Sequence, residues 1–346
     1  MENRIKVGVL GCTGAVGQKL IALLENHPWF EASEVAASEN SAGQKYSERV
    51  NWKESKPIPE NVKNLTIKNC NEKLDAKILF SGLDSSVAGE IEEYYANEGY
   101  AVVSNSKNHR MSEDVPLIIP EINHSHFEII NLQQKRFSKG GFIVTNPNCS
   151  TIVMVLALYP IFKNFGLEKV LVSTMQAISG AGYPGVPSLD ILGNIVPYIK
   201  DEEEKMQTEP LKIFGEVKDG KINFADFTLS AMCNRVPVQN GHTTSISFKT
   251  KKPATKEAII KSFGDYEHLG LPFSPEKVVQ YFDDPARPQP ALDLYNGNGM
   301  TVSVGNLREC NILDWKMTAF GHNTIRGAAG AAILNAEYLV KNKYIK

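Results

Sequence analysis

A glycine-rich turn between a short apolar strand and an apolar helix constrains the fold of this chain most strongly. Residues 5–10 form a compact β-rich run, and glycines follow at positions 11, 14 and 17. Apolar residues then recur at helical spacing, at Val16, Leu20, Leu23 and Leu24. Strand, tight turn and helix in this order predict the first βα unit of a parallel sheet.

The same alternation continues along the first part of the chain. We predict further strands over 33–37, 77–80 and 100–104, and a helix over 87–97 that ends before Gly99. Strands that alternate with helices are typical of a Rossmann-like, doubly wound parallel sheet. The sequence therefore predicts an α/β domain at the start of the chain.

A different pattern begins near residue 169. Longer runs with alternating polarity, at 169–178 and 242–249, predict strands of a sheet with one exposed face, within a second, α+β domain. The stretch 323–340 is rich in alanine and small residues, which suits a helix packed back on the first domain. We expect residues 1–147 plus 323–346 to form the dinucleotide-binding domain and residues 148–322 the second domain.

Charge and hydropathy exclude several classes of protein. The 37 basic and 39 acidic residues give a net charge of -2, which offers no field to hold nucleic acid or an anionic membrane. The longest apolar run, 152–162, is interrupted by Pro160 and falls short of the roughly 20 residues that span a bilayer, so we expect a buried helix there. No targeting segment is visible, and we expect a cytosolic protein.

The glycine turn is also a candidate nucleotide site. Backbone amides and a helix N-terminus at this point suit a pyrophosphate, although the turn can also close without a ligand. The turn after the second strand lies where a ribose-reading residue is expected. There Glu39 suits a free 2′-hydroxyl, whereas Ser38, Asn40 and Ser41 can donate to a 2′-phosphate. The choice between NAD and NADP therefore stays open at this point.

Cys149 is the candidate nucleophile. It follows Asn146, Pro147 and Asn148 and lies near the start of the apolar helix, where backbone dipoles favour a thiolate and lower the thiol pKa. A buried core thiol is the ordinary alternative, but the polar flank argues against it. We expect iodoacetamide to label Cys149 before the other four cysteines, which are scattered without CxxC spacing and are expected to be reduced.

A proton partner for this thiol must come from elsewhere in the chain. His242 follows Arg235 and a turn that ends at Gly241, so we expect Arg235 and His242 at one surface. Residues 179–182, with sequence SGAG, close the strand that carries Gln176 and suit a close backbone approach to a ligand. We predict no metal site, because His124 and His126, on a segment that looks like a strand, lack further ligands.

Seven stretches together resemble one known family over nearly the whole chain. They are GCTGAVGQ, SNSKNHRMSEDVPLIIPEIN, TNPNCSTI, QAISGAGYPGVPSLDILGN, YIKDEEEKM, NRVPVQNGH and GHNTIRGAAG. The family is aspartate-β-semialdehyde dehydrogenase, in the branch found in archaea and fungi. The resemblance implies a glyceraldehyde-3-phosphate-dehydrogenase-like fold with a catalytic and dimerisation domain. It also implies NADPH-dependent, reversible reductive dephosphorylation of β-aspartyl phosphate, in lysine, methionine and threonine biosynthesis.

The resemblance also assigns roles to residues. Cys149 would be the nucleophile that forms a thioester, His242 the acid/base, and Gln176 would position the acyl group. The substrate-binding set would be Arg235 for the α-carboxylate, Glu202 for the ammonium, Arg110 and Lys205 for phosphate, and Asn148. The cofactor-binding set would be Gly11, Thr13, Gly14, Ala15, Val16, Ser38, Asn40, Ser41, Ser179, Gly180 and Asn323. Glu202 and Lys205 would share a helix face if 191–211 is helical beyond Pro197, although DEEEK can also be a solvated face.

Three points stay open on the resemblance. The family often carries an arginine where this chain has Asn40, so NADP is expected while NAD use is possible. The partners implied are the small-molecule substrate and inorganic phosphate, in a homodimer or homotetramer. The alternatives are a malonyl-CoA reductase of the same branch and, more remotely, a nucleotide-binding regulator without catalysis.

Overall fold

The first sheet of the computed structural model, which describes residues 4–345, is parallel throughout and has the strand order β3-β2-β1-β4-β5-β6. Its strands are β1 (Ile5–Leu10), β2 (Phe30–Ala37), β3 (Lys68–Asn69), β4 (Ile78–Ser81), β5 (Ala101–Ser104) and β6 (Phe142–Thr145). The intervening helices are α1 (Ala15–Leu24), α2 (Tyr46–Arg49), α3 (Glu60–Lys63), α4 (Ser85–Asn97), α5 (Pro120–Asn123) and α6 (Ile130–Arg136). The doubly wound fold predicted from the sequence is confirmed.

The second sheet is mixed, in the order β10-β7-β11-β14-β13-β12. Its strands are β7 (Leu167–Gln176), β10 (Thr228–Arg235), β11 (His242–Thr250), β12 (Val279–Phe282), β13 (Val302–Glu309) and β14 (Trp315–Gly321), and a separate hairpin pairs β8 (Glu216–Lys218) with β9 (Lys221–Asn223). The helices are α7 (Cys149–Phe165), α8 (Ser188–Ile191), α9 (Glu202–Ile213), α10 (Lys256–Ser262), α11 (Pro290–Asp293) and α12 (Gly330–Lys341). Side chains of β7 alternate between buried and exposed along most of the strand, as the polarity pattern predicts.

Apolar cores lie against both sheets. The apolar side of α7 packs with β7, β11 and β13 in the core of the second sheet. Ala332, Ile333 and Leu339 of α12 pack instead with Val7 and Val9 of β1. The small residues of the last helix thus return the chain to the first sheet.

Two local predictions are wrong. Residues His124–Ile129 form a 3-10 helix and not a strand, because Asn123 and His126 use their side chains in local hydrogen bonds. The last helix begins as a π-helical turn at Ile325–Ala329 and not at Asn323. In the stretch 191–211, by contrast, α9 lies beyond Pro197 and places Glu202 and Lys205 on one helix face, as predicted. Between α8 and α9 the chain is not helical, because Gly193 has a φ of 67° and Pro197 cannot donate a helical hydrogen bond.

Candidate active site

The nucleophile candidate begins the helix α7. The Asn148 side-chain oxygen accepts hydrogen bonds from the backbone N–H groups of Ser150 (2.9 Å) and Thr151 (3.2 Å), which caps the helix. Cys149 is therefore the first helical residue, as predicted, and it keeps part of its surface exposed. Its Sγ lies 3.1 Å from Nε2 of His242. The structure brings together two residues that are 93 positions apart in the sequence.

His242 is held from its other ring nitrogen. It is the first residue of β11 and is fully buried, and its Nδ1 accepts a hydrogen bond of 3.1 Å from the backbone N–H of Ala177. A neutral imidazole that accepts at Nδ1 carries its proton on Nε2. His242 therefore presents an N–H to the sulfur of Cys149. The two groups are buried or half-buried in the site and do not lie at an open surface.

The protonation of this pair differs from the sequence-based prediction. Burial raises the pKa of the Cys149 thiol to about 12, and the carboxylate of Glu202 acts in the same direction. Burial also lowers the pKa of His242 to about 3, with the Arg235 charge adding to the effect. The prediction of a lowered thiol pKa is wrong, because burial of the thiol disfavours its charged form. The resting pair is a neutral thiol beside a neutral imidazole.

A hydrogen-bonded carboxylate lies next to the pair. Glu202 is buried at the start of α9, and its carboxylate accepts a hydrogen bond of 2.9 Å from Nζ of Lys205. It also accepts hydrogen bonds from Nδ2 of Asn148 and Nε2 of Gln176. Burial by itself would raise its pKa, but Lys205 and these hydrogen bonds lower it below the usual value. Glu202 is therefore an anion inside the site. DEEEK is a solvated face only in part, since Glu204 is exposed.

Arg235 and the loop after β7 lie beside His242. Nη1 of Arg235 donates to the carbonyl of Ala177 at 2.8 Å, and the side chain is buried at the end of β10. A Cβ on Gly180 would lie 2.9 Å from Nη1 of Arg235 and 3.0 Å from Cε1 of His242. Only glycine therefore allows the backbone to pass this close to both groups. Arg235 and His242 share one side of the site, as predicted, but they are buried there.

Arg110, in the loop after β5, forms an ion pair with a residue that was not predicted from the sequence, Glu209. Its Nη1 lies 2.8 Å from Oε1 of Glu209, a buried carboxylate on α9. Lys212, one turn further, donates to the carbonyls of Arg110, Ser112 and Val115. Residues 202, 205, 209 and 212 recur at helical spacing, and this pattern is the signal that was available for finding Glu209 and Lys212.

The glycine turn has the form that a pyrophosphate needs. Gly11 has a φ of 70°, and Gly14 is the N-cap of α1, so that no side chain covers the start of the helix. Thr13, Ala15 and Val16 lie in this turn and first helical turn. These residues fit a dinucleotide by backbone amides and helix dipole.

In the turn after β2, only some of the predicted cofactor-binding residues are exposed. Ser38, Glu39 and Asn40 are exposed, but Ser41 is buried and its N–H donates to the carbonyl of Ser38 at 2.9 Å. The exposed donors of this turn are therefore the side chains of Ser38 and Asn40. Asn323 is buried, accepts from the N–H of Gly241 at 2.8 Å and donates to Oγ of Ser179 at 2.8 Å.

The parallel nucleotide-type sheet and the mixed-sheet domain, with a cysteine–histidine pair between them, have the architecture of a two-domain dehydrogenase. The family comparisons agree with that class. Residues 6–130 match the model described as the semialdehyde dehydrogenase NAD binding domain, and residues 158–326 match the semialdehyde dehydrogenase dimerisation domain. The second match supports assembly into a homo-oligomer.

Full-length relatives are more specific. The chain is 49% identical to an aspartate-semialdehyde dehydrogenase of Archaeoglobus fulgidus, over 99% of this chain and 100% of the relative. It is 42% identical to the enzyme of that name from Saccharomyces cerevisiae, over 100% of both chains. A crystal structure of the Candida albicans enzyme with NADP matches with a TM-score of 0.91 and 42% identity, over 99% and 100% of the two chains. This chain belongs to the aspartate-semialdehyde dehydrogenase family.

These relatives do not favour the malonyl-CoA reductase alternative. Among residues 4–345, no helix is long and apolar enough to cross a membrane.

Proposed function

We propose that this chain catalyses the NADPH-dependent reductive dephosphorylation of β-aspartyl phosphate to L-aspartate-β-semialdehyde, and the reverse reaction, in the cytosol. Lysine, methionine and threonine biosynthesis would use the product. The observation that carries the proposal is the 3.1 Å approach of Cys149 Sγ to His242 Nε2 beside a buried anion, Glu202, and a buried cation, Arg235. A non-catalytic nucleotide-binding regulator would not require this arrangement.

The charges suit an amino-acid substrate. Glu202 would bind the ammonium group and Arg235 the α-carboxylate, and both charges act on Cys149. Arg110 and Lys205 would bind the phosphate, and they line one cavity of about 310 Å³ together with Lys107. Charge-assisted hydrogen bonds of this kind are stronger than neutral ones, so they orient the acyl carbon toward Sγ.

The chemistry begins with attack of Sγ on the acyl carbon. The C–S bond forms, the C–O bond to phosphate breaks, and the thiol proton leaves with the phosphate, which accounts for every atom. Nε2–H of His242 faces the sulfur and stabilises its thiolate form on attack and again when the sulfur leaves. Gln176 and the Asn148 side chain, both within the hydrogen-bond network of Glu202, would position the acyl group.

NADPH would supply the hydride that reduces the thioester carbon. The C–S bond would then break to release the aldehyde, and the sulfur would regain its thiol proton from solvent. The turn at Gly11 and Gly14, with Thr13, Ala15 and Val16, would hold its pyrophosphate. Ser38 and Asn40 would donate to the 2′-phosphate, with Glu39 turned to solvent. Ser179, Gly180 and Asn323 would border the nicotinamide, because the hydrogen bond between Asn323 and Ser179 joins these two segments.

The assembly would be a homodimer or homotetramer. Leu171 and Met175 of β7 and Met232 of β10 are exposed on adjacent strands of the second sheet. An apolar sheet face of this kind suits burial against a second copy of the chain. Sedimentation analysis of the purified protein distinguishes the two states.

The test is an assay of semialdehyde oxidation with phosphate and either NADP or NAD. We expect phosphate-dependent formation of NADPH, and a larger kcat/KM for NADP than for NAD. Glu202→Ala and Arg235→Ala should each lower kcat/KM for the semialdehyde by about 30-fold or more, since each removes a charged partner from a buried site. Lys205→Ala should mainly raise the KM for phosphate.

Glu257→Gln, which removes an exposed carboxylate on α10, is the matched control and should behave as the wild type. Efficient reduction of malonyl-CoA together with no phosphate-dependent oxidation would refute the substrate assignment. Near-normal activity of Cys149→Ala would refute the thioester mechanism.

A further inference from the structure

The helix α9 holds two acid–base pairs that are about two helical turns apart. The first pair, Glu202 and Lys205, belongs to the proposed substrate site. The second pair, Glu209 and Lys212, has no role in the chemistry described above, yet both side chains are almost completely buried. Burial of charged groups is costly unless each finds partners, so the partners of this second pair indicate what it does.

Glu209 joins two functional segments from different parts of the chain. Its Oε2 accepts a hydrogen bond of 2.7 Å from the backbone N–H of Asn148, directly before Cys149. Its Oε1 accepts one of 2.8 Å from Nη1 of Arg110, which is carried by the loop after β5. One carboxylate therefore sets the distance between the start of the nucleophile helix and the guanidinium of Arg110.

The remaining contacts of Arg110 leave its Nε without a hydrogen-bond partner among residues 4–345. Nη2 of Arg110 donates to the carbonyl of Asn105 at 2.8 Å. Nε of Arg110 is buried. Arg110 is thus held at both terminal nitrogens and keeps an unsatisfied donor, in a residue that also lines the cavity shared with Lys107 and Lys205. A buried donor without a partner is unfavourable until an acceptor, such as a phosphate oxygen, arrives.

We propose that Glu209 is a positioning residue, which fixes Arg110 against the nucleophile helix and so sets the geometry of phosphate binding and release. This inference rests on the proposed function, in which Arg110 contacts phosphate. Lys212 supports the same arrangement, because its three carbonyl acceptors hold the backbone of the loop that carries Arg110. Glu209 itself acts on phosphate only through Arg110.

The substitution Glu209→Gln tests this role with little change of shape. The amide oxygen can still accept from Asn148, but the charge that orients Arg110 is lost. We expect the KM for phosphate in semialdehyde oxidation to rise about tenfold, as does the Kd of inorganic phosphate measured by calorimetry. The KM for the semialdehyde should stay within about twofold, and kcat at saturating phosphate within about threefold. Glu209→Asp, which keeps the charge but withdraws it by one methylene, should give an intermediate increase.

The controls separate this role from a structural one. Glu257→Gln should leave both phosphate constants unchanged. Arg110→Ala should raise the phosphate Kd, and adding Glu209→Gln to it should cause no further increase, because the two residues act as one unit. A Glu209→Gln protein that unfolds at a lower temperature but binds phosphate as the wild type does would mean that Glu209 only stabilises the fold.

Other outcomes would overturn the inference in recognisable ways. If Glu209→Gln binds phosphate more tightly, Glu209 competes with phosphate for Arg110 and does not position it. If Arg110→Ala leaves the phosphate Kd unchanged, the phosphate role of Arg110 is wrong and this inference falls with it. Wild-type oxidation of the semialdehyde without any need for phosphate would instead refute the proposed function.

Discussion

Gly327 lies against the nucleophile, and replacing it with alanine is expected to damage catalysis more than folding. Gly327 is in the π-helical turn before α12, and an added Cβ would lie 2.7 Å from Cβ of Cys149 and 3.1 Å from its Cα. Carbon atoms in contact normally lie about 3.5 to 4.0 Å apart, so one of the two segments must move by about 1 Å. Gly327 is not among the glycines with positive φ, so alanine strains the contact and not the backbone conformation.

The size of the effect follows from this displacement. Overpacking of this kind costs about 1 to 3 kcal/mol of the free energy of unfolding. A misplacement of about 1 Å at a reacting group can cost about 100-fold in rate. Because Sγ of Cys149 and Nε2 of His242 are 3.1 Å apart, a shift of this size breaks their contact. We expect Gly327→Ala to lower kcat by about 100-fold with little change in the Kd of NADP.

The assay measures kcat under saturating substrates, NADP binding by fluorescence titration, and the free energy of unfolding in urea. Gly264→Ala is the control, because an added Cβ there would come no closer than 3.4 Å to the backbone oxygen of Lys261. A Gly327→Ala enzyme with kcat within about threefold of the wild type would show that the Cys149 segment yields freely, and would refute the argument.

Two further predictions follow from pKa values. The pKa of Cys310 is lowered by backbone hydrogen bonds while burial raises that of Cys149. At neutral pH iodoacetamide should therefore label Cys310 first, which replaces the sequence-based expectation that Cys149 is labelled first. Peptide mapping that finds Cys149 labelled first would contradict the neutral resting pair. Burial raises the pKa of Glu92 from 4.5 to about 7, although Ser81 and Ser104 donate to it. Ionisation of buried Glu92 destabilises the folded protein, and this cost is absent below pH 4.5 and complete above about pH 7. Glu92→Gln removes the cost, so it should raise the free energy of unfolding by up to about 3 kcal/mol near pH 8 and by much less near pH 4.5. An equal gain at both pH values in urea titrations would refute this cause.

Features that depend on neighbouring residues were predictable from the sequence. The glycine turn between β1 and α1, the polar start of α7 at Asn148 and the alternating polarity of β7 each depend on spacing within a short segment. Glu202 and Lys205 share a helix face for the same reason, since residues three apart are neighbours on any helix. Resemblance to a family added the roles that no local pattern specifies.

Features that depend on long-range contacts were decided by the tertiary structure. Glu209 contacts Arg110 across 99 positions of sequence, and Gly327 packs on Cys149 from near the end of the chain. The protonation of Cys149 was mispredicted because a helix start is visible in the sequence, whereas the loss of water around a side chain is not. Segments and their caps are set by interactions between near neighbours. Distances between segments and the desolvation of charged groups exist only once the two sheets have packed together.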